Sequence, residues 1–475
     1  MRNYKMYVNG EFINGHGGAT EILNPSTEEV ISTVQTGSET DAQMAVAAAA
    51  EAQSDWARRP AIERAKYLKQ IAAKIREKSE YLAHVISEEQ GKVLPLARFE
   101  VELAANHVEF AAEWARRYEG EILQSDRENE NILIFKKPVG VVAGIIPWNF
   151  PFASVARKMG PALVTGNTII IKPAEVTSNN ALEFAQIVAE IGLPPGVFNV
   201  VPGKGRVVGA ALASDPRVGL VTFTGSVETG ADIMRRASDN ITKVSLELGG
   251  KAPAIVMNDA DIDLAVREIV KSRIANSGQL CICPERVYVQ SKIADEFITK
   301  YIQAMSRVTY GNPLTEQVDM GPLVSQSHQR SVESAVNTAV REGAQLVLGG
   351  TIGNREKGYY FEPTVLVNCN HDMEIMKKEV FGPVTPIQEF QYLDEAIELS
   401  NDSEYGLSSS IYTNDLNTVM YACNELKFGE TYVNRDNGEA FHAFHSGWRK
   451  SGIGGDDGKH GLNEYLQSHV VYIQR

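Results

Sequence analysis

Between residues 140 and 246 the chain alternates two hydrophobic patterns. Runs of consecutive apolar residues at 140–146, 168–172, 197–201, 218–223 and 243–246 have no polar face, which is how a strand covered on both sides reads. Between them, 152–164, 179–190, 206–214 and 228–238 place apolar residues every three or four positions, the period of a helix. Strands buried on both faces and joined by helices predict a doubly wound parallel sheet, which takes its ligands at the carboxyl ends of its strands. A second alternation follows, with strands at 254–257, 286–290, 345–348, near 365 and 384, 408–412 and 431–433. Its helices are expected at 262–275, 293–308, 325–342, 393–399 and 416–426. The fold class is therefore α/β, with two such lobes.

The flanking segments have other patterns. Asn9-Gly10 between short apolar runs predicts a tight hairpin within a β region spanning 4–35. Residues 39–117 are helical in period, with a start at Ser38 and Asp41 and a break at Gly91 and Pro95. A strand, a polar turn and a second strand fill 121–135, and such a hairpin needs a partner for its apolar face. The apolar tail ending in Val470-Val471-Tyr472-Ile473 is expected to pair with it.

With 475 residues the chain exceeds what one core supports, so several domains are expected. A net charge of −14 argues against a nucleic-acid surface, which needs clustered Lys and Arg. The four cysteines are too few and too scattered for a disulfide framework, so a reducing, cytoplasmic setting is expected. Cys281-x-Cys283 has no second Cys/His pair at ligand spacing, and no metal is expected. No run of about 18 apolar residues occurs and no apolar leader opens the chain, so neither a membrane span nor a secretory signal is expected.

The candidate chemistry lies at the strand ends. Ser245-Leu246-Glu247-Leu248-Gly249-Gly250 sets a carboxylate on an apolar strand end, where poor solvation should raise its pKa toward that of a general base. Asn276-Ser277-Gly278-Gln279-Leu280-Cys281 sets a thiol just beyond a glycine, where backbone N–H groups would favour the thiolate of a nucleophile. Taken singly, a surface carboxylate and a small buried thiol describe the same residues. Ile146-Pro147-Trp148-Asn149 pins a carboxamide that can donate to an oxyanion, or serves only as a turn. Lys172-Pro173-Ala174-Glu175 sets an acid beyond a strand, suited to ribose hydroxyls and repelling a 2′-phosphate, so NAD is favoured over NADP. Gly203-x-Gly205 is not the dinucleotide fingerprint, since its last glycine, Gly209, comes one residue late. Ser226 opens a helix, as a pyrophosphate contact or a plain cap.

Together with Glu379-Val380-Phe381-Gly382-Pro383, these motifs stand in the order of the NAD(P)-dependent aldehyde dehydrogenase superfamily, which the whole chain resembles. The resemblance implies an aldehyde dehydrogenase-like fold: a Rossmann-like NAD-binding domain (1–118 and 139–249), a catalytic domain (250–442) and a β oligomerisation flap (119–138 and 456–475). It implies a homodimer or homotetramer and a small aldehyde substrate. It makes Cys281 the nucleophile, Glu247 the base, and Asn149 with the Cys281 N–H the oxyanion hole. Lys172 and Glu175 become adenosine-ribose contacts, Ser226 a pyrophosphate contact, Glu379 the nicotinamide-ribose contact and Phe381 a wall for that ring. Ile146, Trp148, Gly205 and Leu248 complete the cofactor set. Because Glu247 is present, the acyl-enzyme is expected to be hydrolysed to the carboxylic acid.

Within the superfamily, residues 114–121, 156–159 and 444–452 look closest to the bacterial lactaldehyde and glycolaldehyde dehydrogenases. By that likeness Arg157 and His445 face the substrate and bond its 2-hydroxyl, with Glu439 on the same rim. Ile282 departs from the Asn that those enzymes carry after the nucleophile, which opens the alternative of other small, aromatic or less polar aldehydes. Lys459 stands where many members have a second glutamate, and Cys283 is expected to be a bystander able to pair with Cys281 on oxidation. A non-catalytic NAD-binding protein is the alternative from another class.

Overall fold

The computed structural model describes residues 2–475. Five parallel strands form the centre of an eight-stranded sheet, in the order Lys243–Glu247, Val218–Thr224, Val141–Ile145, Thr168–Lys172, Phe198–Val200. The chain winds outward in both directions from Val141–Ile145, so the switch point lies between that strand and Val218–Thr224. The doubly wound sheet expected from the continuous apolar runs is present.

Both edges of this sheet are covered by antiparallel strands. On one side sits the hairpin Met6–Val8 and Glu11–Ile13, whose turn residues Asn9 (φ 54°) and Gly10 (φ 83°) are left-handed, as Asn-Gly demands. On the other, Gly452–Ile453 pairs with the end of Lys243–Glu247. Two residues carry no periodicity, and the sequence did not announce this strand.

The second sheet runs Gln345–Leu348, Thr364–Val367, Val384–Phe390, Arg286–Gln290, Pro253–Val256, Ser408–Tyr412, Glu430–Val433, all parallel except the first. The tail strand Leu466–Gln474 pairs antiparallel along the whole of Glu130–Pro138, which also carries Glu121–Leu123. This three-stranded sheet leaves Ile122 81% and Tyr472 65% exposed. The helix expected over 206–214 divides into a wide π turn, Gly205–Gly209, and the short helix Ala210–Ser214.

The helical layer starts where the polar pattern placed it. Ser38 Oγ accepts from the Asp41 N–H and the Asp41 carboxylate accepts from the Ser38 N–H, a reciprocal cap on Glu39–Arg58. Gly91, at φ 83°, ends Ser79–Gln90, and Pro95 lies in the first turn of Leu94–Glu113. Across that break Lys92 and Glu100 form an ion pair with both side chains fully buried. Glu100 also accepts from the N–H groups of Phe152 (2.9 Å) and Ala153 (3.2 Å), tying the layer to the start of Pro151–Thr165. Removing one member leaves a buried charge unopposed. Glu100→Gln should therefore destabilise the protein by about 3–5 kcal/mol, read as a lower urea midpoint; an unchanged midpoint would show the pair to be dispensable.

Candidate active site

The thiol is presented by a strained turn. After the helix Ile262–Ile274 come Asn276, Ser277 and Gly278 with φ of 49°, 59° and 78°, three successive left-handed residues, two of which carry side chains. A Cβ at Gly278 would strike the Gly382 carbonyl, so only glycine fits. Side chains hold the turn against its strain. Ser277 Oγ donates to Gly321 O (2.8 Å), Gln279 Nε2 donates to Asn276 O (2.8 Å), and Gln279 Oε1 accepts from the Val324 N–H (2.9 Å). Cys281 emerges half-buried.

Cys283 has a different environment. It is fully buried, donates to Leu280 O, accepts from Arg273 at 3.1 Å, and burial pushes its thiol up to about 12. Ile282 between them is almost buried, its carbonyl fixed by Ser408 Oγ (2.9 Å) and Asn437 Nδ2 (2.8 Å).

Glu247 is the last residue of its strand and only 2% exposed. Neither carboxylate oxygen has a hydrogen-bond partner among the described residues. Burial raises its pKa well above the carboxylate range, with His445 the main opposing influence. That matches the sequence expectation. The glycine pair that follows is needed for close approach: a Cβ on Gly249 would lie 2.6 Å from Glu379 Oε2, and one on Gly250 2.6 Å from the Cys281 carbonyl. Two chain segments thereby close on the strand end.

Asn149 follows Val141–Ile145. Its Nδ2 donates to Gln279 O (3.0 Å), and its carbonyl accepts from Lys92 Nζ (2.7 Å) and Asn276 Nδ2 (3.2 Å). The carboxamide is thus anchored on the loop that carries the thiol.

The residues proposed for the cofactor line the carboxyl ends of the first sheet. Lys172 ends its strand buried, and burial lowers its ammonium to about 8 against the pull of Glu175. Glu175 accepts from the Gly205 N–H (3.0 Å), and Ser226 caps Val227–Ser238. Ile146 donates its N–H to Lys172 O (3.1 Å), and Leu248 packs on Gly230 of that helix. Glu379 accepts from the Gly250 N–H (2.8 Å), and burial raises it to about 7. Phe381, at φ 57°, stands edge-on to Trp148 at 5.5 Å between ring centres.

Arg157, His445 and Glu439 belong to one ionic cluster. Arg157 Nε donates to Asp457 (3.2 and 3.1 Å) and its Nη2 to Glu439 (2.6 Å) and Asp457. His445 Nδ1 lies 2.9 Å from both Glu430 and Glu439, and its Nε2 lies 3.5 Å from Glu247. Glu439 falls to about 2 and His445 rises well above its ordinary value; in each case burial is the largest influence and is overcome by the opposite charges.

One expectation needs correction. The turn was expected to favour the thiolate, but burial raises the Cys281 thiol, with His445 the main opposing influence. Partial dipoles of backbone N–H groups do not offset the loss of water around sulfur.

Several members of the site escaped sequence reading. Asp457 and Glu430 hold Arg157 and His445, and Lys158 pairs with Asp456 at 2.6 Å. Glu285 accepts from Val380 and Phe381 N–H groups (3.0 Å each) and pairs with Lys251 (2.7 Å) and Arg273 (3.1 Å), joining the thiol loop to the Glu379–Phe381 loop. The adjacent bases Arg157-Lys158 and adjacent acids Asp456-Asp457 were a usable signal, since two neighbouring charges of each sign invite pairing.

Comparison with known proteins gives the family. Residues 12–471 match the model of the aldehyde dehydrogenase family. The chain is 55% identical over 473 residues to lactaldehyde dehydrogenase from Escherichia coli (strain K12), covering 99% of this chain and 98% of that protein. The crystal structure of lactaldehyde dehydrogenase from Escherichia coli superposes with a TM-score of 0.98 at 55% identity, covering 100% of each chain. Betaine aldehyde dehydrogenase from Staphylococcus aureus in complex with NAD+ gives 0.97 at 36% identity, over 99% of this chain and 95% of that one. This chain belongs to the aldehyde dehydrogenase family.

Proposed function

We propose that this protein oxidises a small aldehyde of the lactaldehyde or glycolaldehyde class to its carboxylic acid, with NAD, through a thioester on Cys281. The observation that carries this reading is a convergence of chain segments: the glycine pair that follows the partnerless carboxylate of Glu247 closes on the Cys281 carbonyl, and the Asn149 carboxamide is anchored to the loop of that half-buried thiol.

In this reading Cys281 attacks the aldehyde carbon, and Asn149 Nδ2 with the Cys281 N–H holds the oxygen as it gains charge. NAD, when bound, would supply the acceptor for the hydride that leaves the former aldehyde carbon, and Cys281 keeps the acyl group as a thioester. Glu247 then removes a proton from water, the hydroxyl adds to the thioester carbon, and the C–S bond breaks to free the acid. The cofactor residues fit a dinucleotide on physical grounds. Lys172 and Glu379 are buried ionisable groups displaced toward neutrality, which a bound ribose would supply with polar partners.

Preference for a 2-hydroxyl is supported by Arg157. Asp457 and Glu439 occupy its Nε and Nη2 but leave Nη1 without a hydrogen bond among the described residues, a rigidly held donor. The sequence relative from Escherichia coli carries the matching name. Ile282 supports the second reading, less polar aldehydes, only if its aliphatic side chain faces the substrate.

The division into a cofactor domain (1–118 and 139–249), a catalytic domain (250–442) and a flap (119–138 and 456–475) is part of the proposal. So are a homodimer or homotetramer, favoured by the apolar residues exposed on the flap sheet, and a cytoplasmic location.

NADH formation with lactaldehyde should exceed that with propanal by at least about tenfold in kcat/KM, the value of one satisfied polar contact. Cys281→Ala should abolish turnover. Glu247→Gln should release one NADH per site in a burst and then slow by about 10²–10⁴-fold, since only deacylation needs the base. Turnover surviving in Cys281→Ala sinks the mechanism, and equal rates with both aldehydes sink the substrate assignment.

Lys172, held near 8, is charged below that pH and neutral above it. NAD affinity measured calorimetrically should therefore weaken from pH 7 to 9.5, and Lys172→Arg should flatten the profile because guanidinium stays charged. A flat wild-type profile would remove Lys172 from the cofactor contacts. For assembly, the pair Ile122→Asp and Tyr472→Asp should lower the sedimenting mass. An unchanged mass would place the interface elsewhere.

A further inference from the structure

The loop that carries Glu379 and Phe381 is fastened through its backbone. Phe381 occupies the left-handed region at φ 57°, a strained place for a residue with a large side chain, and such a residue persists only where its surroundings over-determine it. Its N–H donates to Glu285 at 3.0 Å, and the next carbonyl along, Gly382 O, accepts from Arg273. Both of those side chains flank the thiol. The Phe381 carbonyl has a partner of another origin: it accepts from His328 Nε2 at 2.8 Å, the only hydrogen bond it receives among the described residues.

His328 is itself firmly placed. It lies in the first turn of Gln326–Arg341, and its N–H donates to the capping Ser325 Oγ at 3.2 Å. One and two turns further on, on the same face, Val332 and Val336 are buried in the core of the second lobe. The helix also presses on the loop directly, since a Cβ at Gly382 would lie 2.7 Å from Val332 Cγ2. A carbonyl can only accept, so Nε2 carries the ring proton, and burial holds the ring below its ordinary pKa, which leaves it neutral at pH 7. The imidazole lies edge-on to Trp148 and to Phe381, at 5.5 and 6.2 Å between ring centres.

We propose that His328 is a positioning residue for the cofactor. By pinning the Phe381 carbonyl while Glu285 holds the N–H of the same residue, it fixes the left-handed turn that aims the Phe381 ring. The placement of the nicotinamide against Phe381, proposed above, is what this rests on, and the assignment of a second-lobe histidine to that task goes beyond it. The operative group is the Nε2–H donor. Ring packing against Trp148 alone would make a different demand, for an aromatic side chain of any kind at position 328.

Two substitutions in the full-length protein separate these demands. His328→Phe keeps a ring and loses the donor, whereas His328→Gln loses the ring and keeps an N–H of similar reach. By calorimetry the Kd for NAD should rise at least about fivefold in His328→Phe and stay within about twofold of wild type in His328→Gln, the effect of one buried hydrogen bond. His328→Leu, also without a donor, should match His328→Phe. KM for NAD should follow the same order, with KM for the aldehyde unchanged to within about twofold. In protein without cofactor, amide hydrogen exchange over residues 379–384 should be about tenfold faster in His328→Phe than in wild type or His328→Gln. Wild-type NAD affinity in His328→Phe overturns the inference, and so does the reverse order, with His328→Gln the weaker binder. Phe381→Leu tells the two readings apart. Undiminished NAD binding there removes the cofactor placement and this inference with it, while weakened binding there beside a wild-type His328→Phe removes the inference alone.

Discussion

A charge taken out of water has to meet an opposite charge or a set of hydrogen bonds, and this constraint organises the region between the two sheets. Lys92 meets Glu100, Lys251 and Arg273 meet Glu285, Lys158 meets Asp456, Arg157 meets Asp457 and Glu439, and His445 meets Glu430 and Glu439. Arg64, Arg286 and Glu89 meet hydrogen bonds instead, while two buried groups at strand ends are less fully matched. Glu247 has no hydrogen-bond partner, and Lys172 has no close ion pair among the described residues. Each is the last residue of a strand in the first sheet, on opposite sides of its switch point. Unpaired buried charge is tolerated where a ligand or a reaction completes the environment.

The paired charges also set geometry. Lys92 fixes the Asn149 carbonyl, and Glu285 binds two consecutive N–H groups at Val380 and Phe381 while its partner Arg273 reaches Cys283 on the thiol loop. Because these links are short and buried, the positions of the carboxamide, thiol and aromatic wall are coupled to the helical layer and to the second sheet rather than to flexible side chains. The three left-handed residues before Cys281 can persist only because Gln279, Ser277 and Asn276 each bond outside the turn.

The sequence was most legible where periodicity is long. Five apolar runs and the helices between them gave the first sheet, and Asn9-Gly10, Ser38 and Gly91 marked local stops whose backbone angles are now explained. Gly249 and Gly250 were legible as a motif but not as a reason, since the atoms they admit, Glu379 Oε2 and Cys281 O, are remote in sequence. The ionic cluster was legible only in part. Arg157 and His445 were found by resemblance, but nothing in one sequence fixes the pairing of Arg157 with Asp457 three hundred residues away. Long-range partners leave no period, and the state of the thiol depends on them.

That dependence explains why the local reading of Cys281 was incomplete. A glycine turn with nearby N–H groups contributes dipoles, whereas burial removes the much larger solvation of a sulfur anion, so the turn alone leaves the thiol protonated. His445, 2.9 Å from Glu430 and Glu439 and 3.5 Å from Glu247, is the main influence acting the other way. Arg157 is nearby but engaged with Asp457 and Glu439, so its charge acts on the thiol mainly by keeping Glu439 ionised and in place. The state of the thiol is thus decided as much by carboxylates remote in sequence as by the turn that carries it.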